Sequence, residues 1–249
     1  MITLAVPDRR RELISNIAMI VVIFAIIYAG RHLRWEVVWG ARKLLLRGLL
    51  LSWELAVISV VLGMIAAIPL AVSRLYGFWV LRYLATAYIE IVRAIPPLMV
   101  IFWVFFTIPA MSGHAIAPFF AAVASLFLMS SAYLAEVVRS GLVSVPAAQI
   151  EGGLSTGLSR AQTFIFIVLP QALRNMIPAI IAQVISLFKT TSLVYVVGLV
   201  EFFRAVLIVN NRVFAPYELY ATAAAVYFVC CYSLSWLIRK LDPEYRLVE

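Results

Sequence analysis

The sequence predicts an all-α, polytopic helical bundle that spans a membrane, and three observations predict it. Of the 249 residues, 65% are hydrophobic and only 13% are charged, about half the charge of an ordinary soluble domain. Six stretches approach the length, about 20 apolar residues, that an α-helix needs to cross the hydrocarbon of a bilayer. None of them shows the short alternating pattern of a membrane β-barrel; their periodicity is helical or apolar all round.

Residues 13–30 (LISNIAMIVVIFAIIYAG) carry no charge and follow Arg9, Arg10 and Arg11. The run is long for a signal peptide and lacks a small-x-small cleavage site, so it reads as a retained signal-anchor span. The basic stretch 31–47 comes next, with Trp35 and Trp39 beside Arg34, Arg42, Lys43 and Arg47. That mixture suits an amphipathic helix lying along the membrane interface. Residues 1–47 therefore read as an N-terminal unit. The other spans are expected at 48–72, 88–111, 115–137, 176–198 and 218–238, within a core unit of 48–238, and 239–249 is a polar tail.

Orientation follows from the excess of Lys and Arg on the cytoplasmic side. With the N-terminus inside, the cytoplasmic segments hold eleven Lys and Arg against seven outside, and both termini are cytoplasmic. The misfit is 31–47, whose cations then lie outside. The net charge of +8 fits membrane-flanking cations and not nucleic-acid binding. Cys230 and Cys231 are adjacent and read as packing residues, His32 and His114 stand far apart, and no metal-ligand spacing exists.

One long polar stretch interrupts the apolar chain. Residues 138–175 read VRSGLVSVPAAQIEGGLSTGLSRAQTFIFIVLPQALRN. Pro146 suits a first helical turn, and a short helix through 147–154 is expected although Gly152 and Gly153 weaken it. Gly157 can take the left-handed backbone that ends a helix. Ser159 and Gln162 have the spacing of a capping box for a second helix, which Leu169-Pro170 should kink or interrupt. Glu151 must face water or a partner, because a lone carboxylate in hydrocarbon is costly. The plain alternative is a solvated connector; a glycine-punctuated helical hairpin is also a shape that fits a cleft on another protein.

Glu151-Gly152-Gly153-x-x-x-Gly157 followed by Ile167-Val-Leu169-Pro170 resembles the "EAA" loop of ABC-importer permeases, with glycines where two alanines are usual. Further stretches resemble the polar amino-acid branch of that family, over about residues 40–240. RGLLLSWELAVISVVLG resembles its GL-x-x-T-L opening, with Ser52 at the threonine position. YIEIVRAIPP, AYLAEVVRSGLVSVPAAQ, LPQALRNMIP and LFKTTSLVYVV match in order, with Thr190 where an aspartate is usual. The resemblance implies a type I ABC-importer permease: a five-helix core plus one extra N-terminal span, in a bacterial inner membrane. It implies that Glu151, Gly152, Gly153, Gly157, Leu169 and Pro170 form the helix that couples to a separate ATPase, which holds ATP and magnesium. A second permease subunit, identical or paralogous, and an extracytoplasmic substrate-binding protein would complete the assembly. The chain has no phosphate-binding G-x-x-x-x-G-K-[ST] loop, so it is expected to be a transport subunit and no enzyme, with no cofactor of its own.

Several charged groups fall inside the spans. Glu90 with Arg93, and Glu136 with Arg139, are three apart and read as structural pairs. Lys189 falls well inside the fifth expected span, where an unpaired cation costs about 2.5–3.5 kcal/mol on insertion scales. It either pairs with Glu54 or a partner subunit, or it faces the pathway with Thr190, Thr191 and Ser192 and attracts an anionic substrate. TSLVYVVGLVEFFRA is most similar to glutamate/aspartate importers, which favours an acidic amino acid. The rival readings are an ion-coupled secondary transporter, for which no inverted repeat is visible, and a membrane enzyme, for which no cluster of His, Cys or carboxylates exists.

Overall fold

The computed structural model describes residues 33–241. The expected signal-anchor span 13–30 and most of the tail lie outside the described residues. Within them the chain is helical from end to end, with short connectors. Four helices are long and apolar enough to cross a membrane, and a bent pair makes a fifth.

Helix α1 (Trp35–Tyr76) has 42 residues, about 63 Å at the helical rise of about 1.5 Å per residue. That is about twice the hydrocarbon thickness of about 30 Å. The break expected near residue 47, between an interfacial helix and a span, is absent. No proline falls before Pro69, and Gly40 and Gly48 weaken a helix without ending it. Its buried face is a ladder of small residues: Gly48, Ser52, Ala56, Ser59, Gly63, Ala67 and Ala71. Small residues let helices approach closely; a Cβ added at Gly63 would collide with Ser130 of α4 (Pro118–Val143).

The span expected over 88–111 is broken. Helix α2 (Trp79–Ala94) and helix α3 (Pro97–Ser112) meet at 111°. Ile95 and Pro96 are extended, with ψ of 135° and 137°, because a residue before proline is pushed out of the helical region and both Pro96 and Pro97 act so. Helix α4 is the most buried of the four long helices, and its Leu126 and Met129 share a core with Leu55, Ile101, Leu187 and Val194.

Helix α5 (Ala147–Ser155) follows, then α6 (Arg160–Val197). The second helix of the polar loop and the fifth span thus form one 38-residue helix, where separate elements were expected. Pro170 is tolerated because the five residues before Leu169, Phe164–Val168, wind as a π turn, which absorbs the clash a proline ring makes with the preceding turn. The last seven residues of α6, Thr191–Val197, tighten to 3-10 geometry. Helix α7 (Phe202–Val213) and helix α8 (Pro216–Leu241) complete the chain. The ends of α1 and α4 share one end of the bundle with α5. The start of α1 packs with α7 and the start of α8 at the other, around Leu45, Phe202, Val206 and Leu219.

Candidate functional site

The α5–α6 corner is built by two complementary caps. At the end of α5 the Leu158 N–H donates to Gly153 O at 3.3 Å and the Gly157 N–H to Leu154 O at 3.0 Å, the paired bonds of a Schellman motif. Gly157 has φ +86°, a conformation that glycine enters without penalty. At the start of α6 the expected capping box forms: the Gln162 N–H donates to Ser159 Oγ at 3.3 Å, and the Ser159 N–H to Gln162 Oε1 at 2.9 Å.

The two glycines of Glu151-Gly152-Gly153 differ in kind. A Cβ at Gly152 would meet open space, whereas one at Gly153 would lie 2.6 Å from Ile167 Cδ1 and 2.9 Å from Thr163 Cγ2. Gly153 is buried, so α5 is clipped onto the π turn of α6 through it. Glu151, Gly152 and Gly157 are exposed on the outer surface of the corner, Pro170 is also exposed, and Leu169 is half-buried. Ile150 and Leu154 are exposed apolar neighbours. The corner therefore presents a short, firmly held helix with one carboxylate and an apolar rim.

Behind the corner lies a network of ion pairs. Arg139 Nη2 is 2.6 Å from Glu136 Oε1. The expected pair of Glu90 with Arg93 does not form: Glu90 instead accepts from Arg74 Nη2 at 2.8 Å. The other arm of Arg74 reaches Glu136 Oε2 at 2.8 Å. Arg93 turns toward Glu136, at 4.0 Å, and lies over the Tyr133 ring at 5.7 Å. Three-residue spacing within a helix does not decide a partner where other helices pack. Arg74, which the sequence showed only as a flanking cation, is the hub joining α1, α2 and α4. Tyr88 adds to the joint, its hydroxyl 2.7 Å from Ser131 Oγ.

The Lys189 region lies at the far end of α6. Trp53 stacks on Phe188 at 4.4 Å, which sets α1 beside α6 at this level. Glu54 and Lys189 are both exposed, and among the described residues no ion pair joins them. Lys189 sits in the last turn of the regular α stretch, where the helix dipole favours a cation. The three hydroxyls beside it serve the backbone: Thr190 donates to Ser186 O at 2.9 Å, Thr191 to Phe188 O at 2.7 Å and Ser192 to Lys189 O at 2.7 Å. Thr191 is fully buried. Thr190 does line a cavity of about 60 Å³, together with Gln183 and Ser186 of α6 and Ser130 and Tyr133 of α4. These four residues were not singled out from the sequence; the turn-by-turn spacing of Gln183, Ser186 and Thr190 along one face was a signal for the two on α6.

A protein-family profile described as "binding-protein-dependent transport system inner membrane component" matches residues 59–247. The chain belongs to that family. It is 30% identical over 215 residues to the glutamine transport system permease protein GlnP of Escherichia coli, covering 86% of this chain and 98% of that one. It is 32% identical over 214 residues to the glutamate/aspartate import permease protein GltK of Escherichia coli, covering 83% and 96%. Among solved structures, a chain from the crystal structure of an amino acid ABC transporter with histidines superposes with a TM-score of 0.80 at 26% identity, covering 85% of this chain and 99% of that one. The protein is thus an all-helical, multi-pass permease subunit of the inner membrane and not an enzyme. As a component of a binding-protein-dependent transporter it works with a substrate-binding protein and an ATPase.

Proposed function

We propose that this permease passes a polar amino acid into the cytoplasm, with α5 as the helix that couples it to the ATPase. The firmly capped, outward-facing α5–α6 corner carries this reading. Glu151, Gly152, Gly153, Gly157, Leu169 and Pro170 form or brace it. Closure of two ATPase subunits on ATP and magnesium would push α5, and the Gly153 contact with Thr163 and Ile167 would pass the push into α6 and on to the Lys189 turn. A near-rigid rocking of packed helices is the motion such contacts support. ATP drives it only through its different affinity for the two conformations. In this reading α5 and both termini are cytoplasmic, the α7 end faces the binding protein, and a second permease, identical or paralogous, lines the other half of the pathway.

The finer reading is an acidic substrate, glutamate or aspartate. Lys189 is exposed, unpaired with Glu54, and stands where Thr190 replaces the family's usual aspartate, so its positive potential is uncancelled nearby. The relatives include permeases for glutamine and for glutamate/aspartate, so the deciding test is uptake. Labelled glutamate uptake into vesicles bearing the complete transporter is expected to need ATP on the ATPase side, and to be blocked by aspartate but not arginine. ATP-dependent uptake of another amino acid would discard the acidic reading and keep the importer. Uptake that ignores ATP and follows an ion gradient would overturn both. Lys189→Gln is expected to lower glutamate uptake several-fold with assembly intact; loss of assembly instead would make the lysine a subunit contact.

A further inference from the structure

We propose that Glu201 is a proton-sensitive positioning residue, seated in a notch of α1 formed by Gly48 and Ser52, that fixes the outer end of α6 and the start of α7 against α1. The inference goes beyond the transport reading and rests on it only for the use the joint is put to.

Four observations converge on this joint. Glu201 is fully buried although it is a carboxylate in the short connector between α6 and α7. It caps α7, accepting from the Phe203 N–H at 2.8 Å and the Arg204 N–H at 2.7 Å. Its backbone lies so close to α1 that a Cβ on Gly48 would sit 2.9 Å from Glu201 C and O. Only glycine leaves that room, since backbone cannot swing aside as a side-chain tip can. One turn on, Ser52 Oγ accepts from the Phe202 N–H at 3.2 Å, and lies 3.2 Å from Gly48 O and 3.4 Å from Glu201 Oε2. This gives a physical reason for the glycine and the hydroxyl of the GL-x-x-T-L stretch, which neither the coupling corner nor the Lys189 turn explains.

The supply of hydroxyl protons makes the joint sensitive to pH. A serine hydroxyl has one proton to donate, and here two acceptors compete for it, Gly48 O and Glu201 Oε2. With Glu201 ionised, both acceptors keep their backbone donors, the Ser52 N–H for Gly48 O within α1 and the Phe203 N–H for Oε2, but the single serine proton serves only one of them. With Glu201 protonated, its O–H can donate to Ser52 Oγ while the serine donates to Gly48 O, so both hydroxyl protons are used. Burial acts in the same direction, pushing the carboxyl up to about 7 against the two backbone N–H donors, the Ser52 bond and the Arg204 charge. The titratable and charged groups that act on it are Arg204 on α7 and Tyr227 on α8; among the described residues α1 offers the neutral Ser52. Because the folded value is raised above the ordinary one, the joint's contribution to stability is fully present below the ordinary carboxylate range. It is lost as pH rises through about 7.

The test has two arms, both on the assembled transporter in lipid nanodiscs or vesicles. The first compares thermal unfolding of the wild type and Glu201→Gln between about pH 6 and about pH 8. The wild-type midpoint is expected to fall across that interval relative to the variant, because glutamine keeps the shape without the titration. Ser52→Ala, which keeps the carboxylate but removes its partner, should move the transition to a different pH. Parallel wild-type and Glu201→Gln profiles would overturn the proposal, as would a Ser52→Ala profile superimposed on the wild type. The second arm measures ATP-driven uptake over the same pH interval, where the ratio of wild type to Glu201→Gln should change near neutrality. A constant ratio would reduce Glu201 to a fixed structural cap. Absence of uptake by the wild type would instead sink the transport reading, and the unfolding profiles would still decide the joint.

Discussion

Gly157→Val is expected to abolish ATP-driven uptake while the protein still reaches the membrane. The left-handed conformation at Gly157, φ +86°, costs an L-residue about 1–2 kcal/mol, and a β-branched residue more. The Schellman bonds from Leu158 and Gly157 to Gly153 and Leu154 need that conformation, so relieving the strain means unwinding the last turn of α5. The spans are made by other residues, so insertion should stand. Gly157→Asn is the control: asparagine enters the left-handed region most readily after glycine, and should keep most of the uptake. Glu151→Lys probes the same corner without touching its fold, since the carboxylate is exposed; reversed charge on the presented face should cost uptake to a similar degree. Uptake and membrane level are measured together for all three variants. Normal uptake by both Gly157→Val and Glu151→Lys would sink the assignment of α5 as the coupling helix.

The parts of this protein that the sequence makes legible are those where one residue type has one local use. Gly157 as a helix end, Ser159 with Gln162 as a capping box, and the core spans as apolar runs all answer to short-range physics. What it does not show depends on who packs beside whom. Glu90 and Arg93 have ideal spacing, yet Arg74 from another helix takes Glu90. The paired prolines at 96 and 97 announced a break, but the apolar run through them made 88–111 look like one span. Pro170 looked like a boundary, and a π turn made it part of a continuous helix. Residues 31–47 looked interfacial because of their cations and tryptophans, but Val37, Val38, Ala41 and Leu45 of α1 pack on α7 and α8, and that contact carries the helix through. Glu201 lay inside a stretch valued only for its likeness to other permeases, since burial of a carboxylate cannot be read from its neighbours in sequence.

Glu136→Gln is expected to destabilise the bundle most among single polar changes, because Glu136 neutralises cations from three helices at once. Its carboxylate meets Arg74 at 2.8 Å, Arg139 at 2.6 Å and Arg93 at 4.0 Å, and its side chain is 22% exposed. Exposed pairs are worth roughly 0–1 kcal/mol and breaking a buried one costs about 3–5 kcal/mol; a partly buried hub belongs between, at about 2–3 kcal/mol. The loss has two parts: the missing attraction, and three guanidinium groups left facing one another, with Glu90 the remaining carboxylate paired to them among the described residues. A double-mutant cycle with Arg74 separates them. If the repulsion matters, Arg74→Met should be less damaging in the Glu136→Gln background than alone, with a coupling of about 0.5–3 kcal/mol in the unfolding midpoints of the solubilised protein. Additive effects would mean that Glu136 and Arg74 act apart, and that α1 is held to α4 at this end by its small-residue ladder alone. Because α4 runs on from Glu136 toward α5, a real coupling would also tie the network to the coupling corner: Glu136→Gln should then lower uptake per inserted molecule as well as stability, whereas adding Arg74→Met in the same background should cost less of either than it does alone.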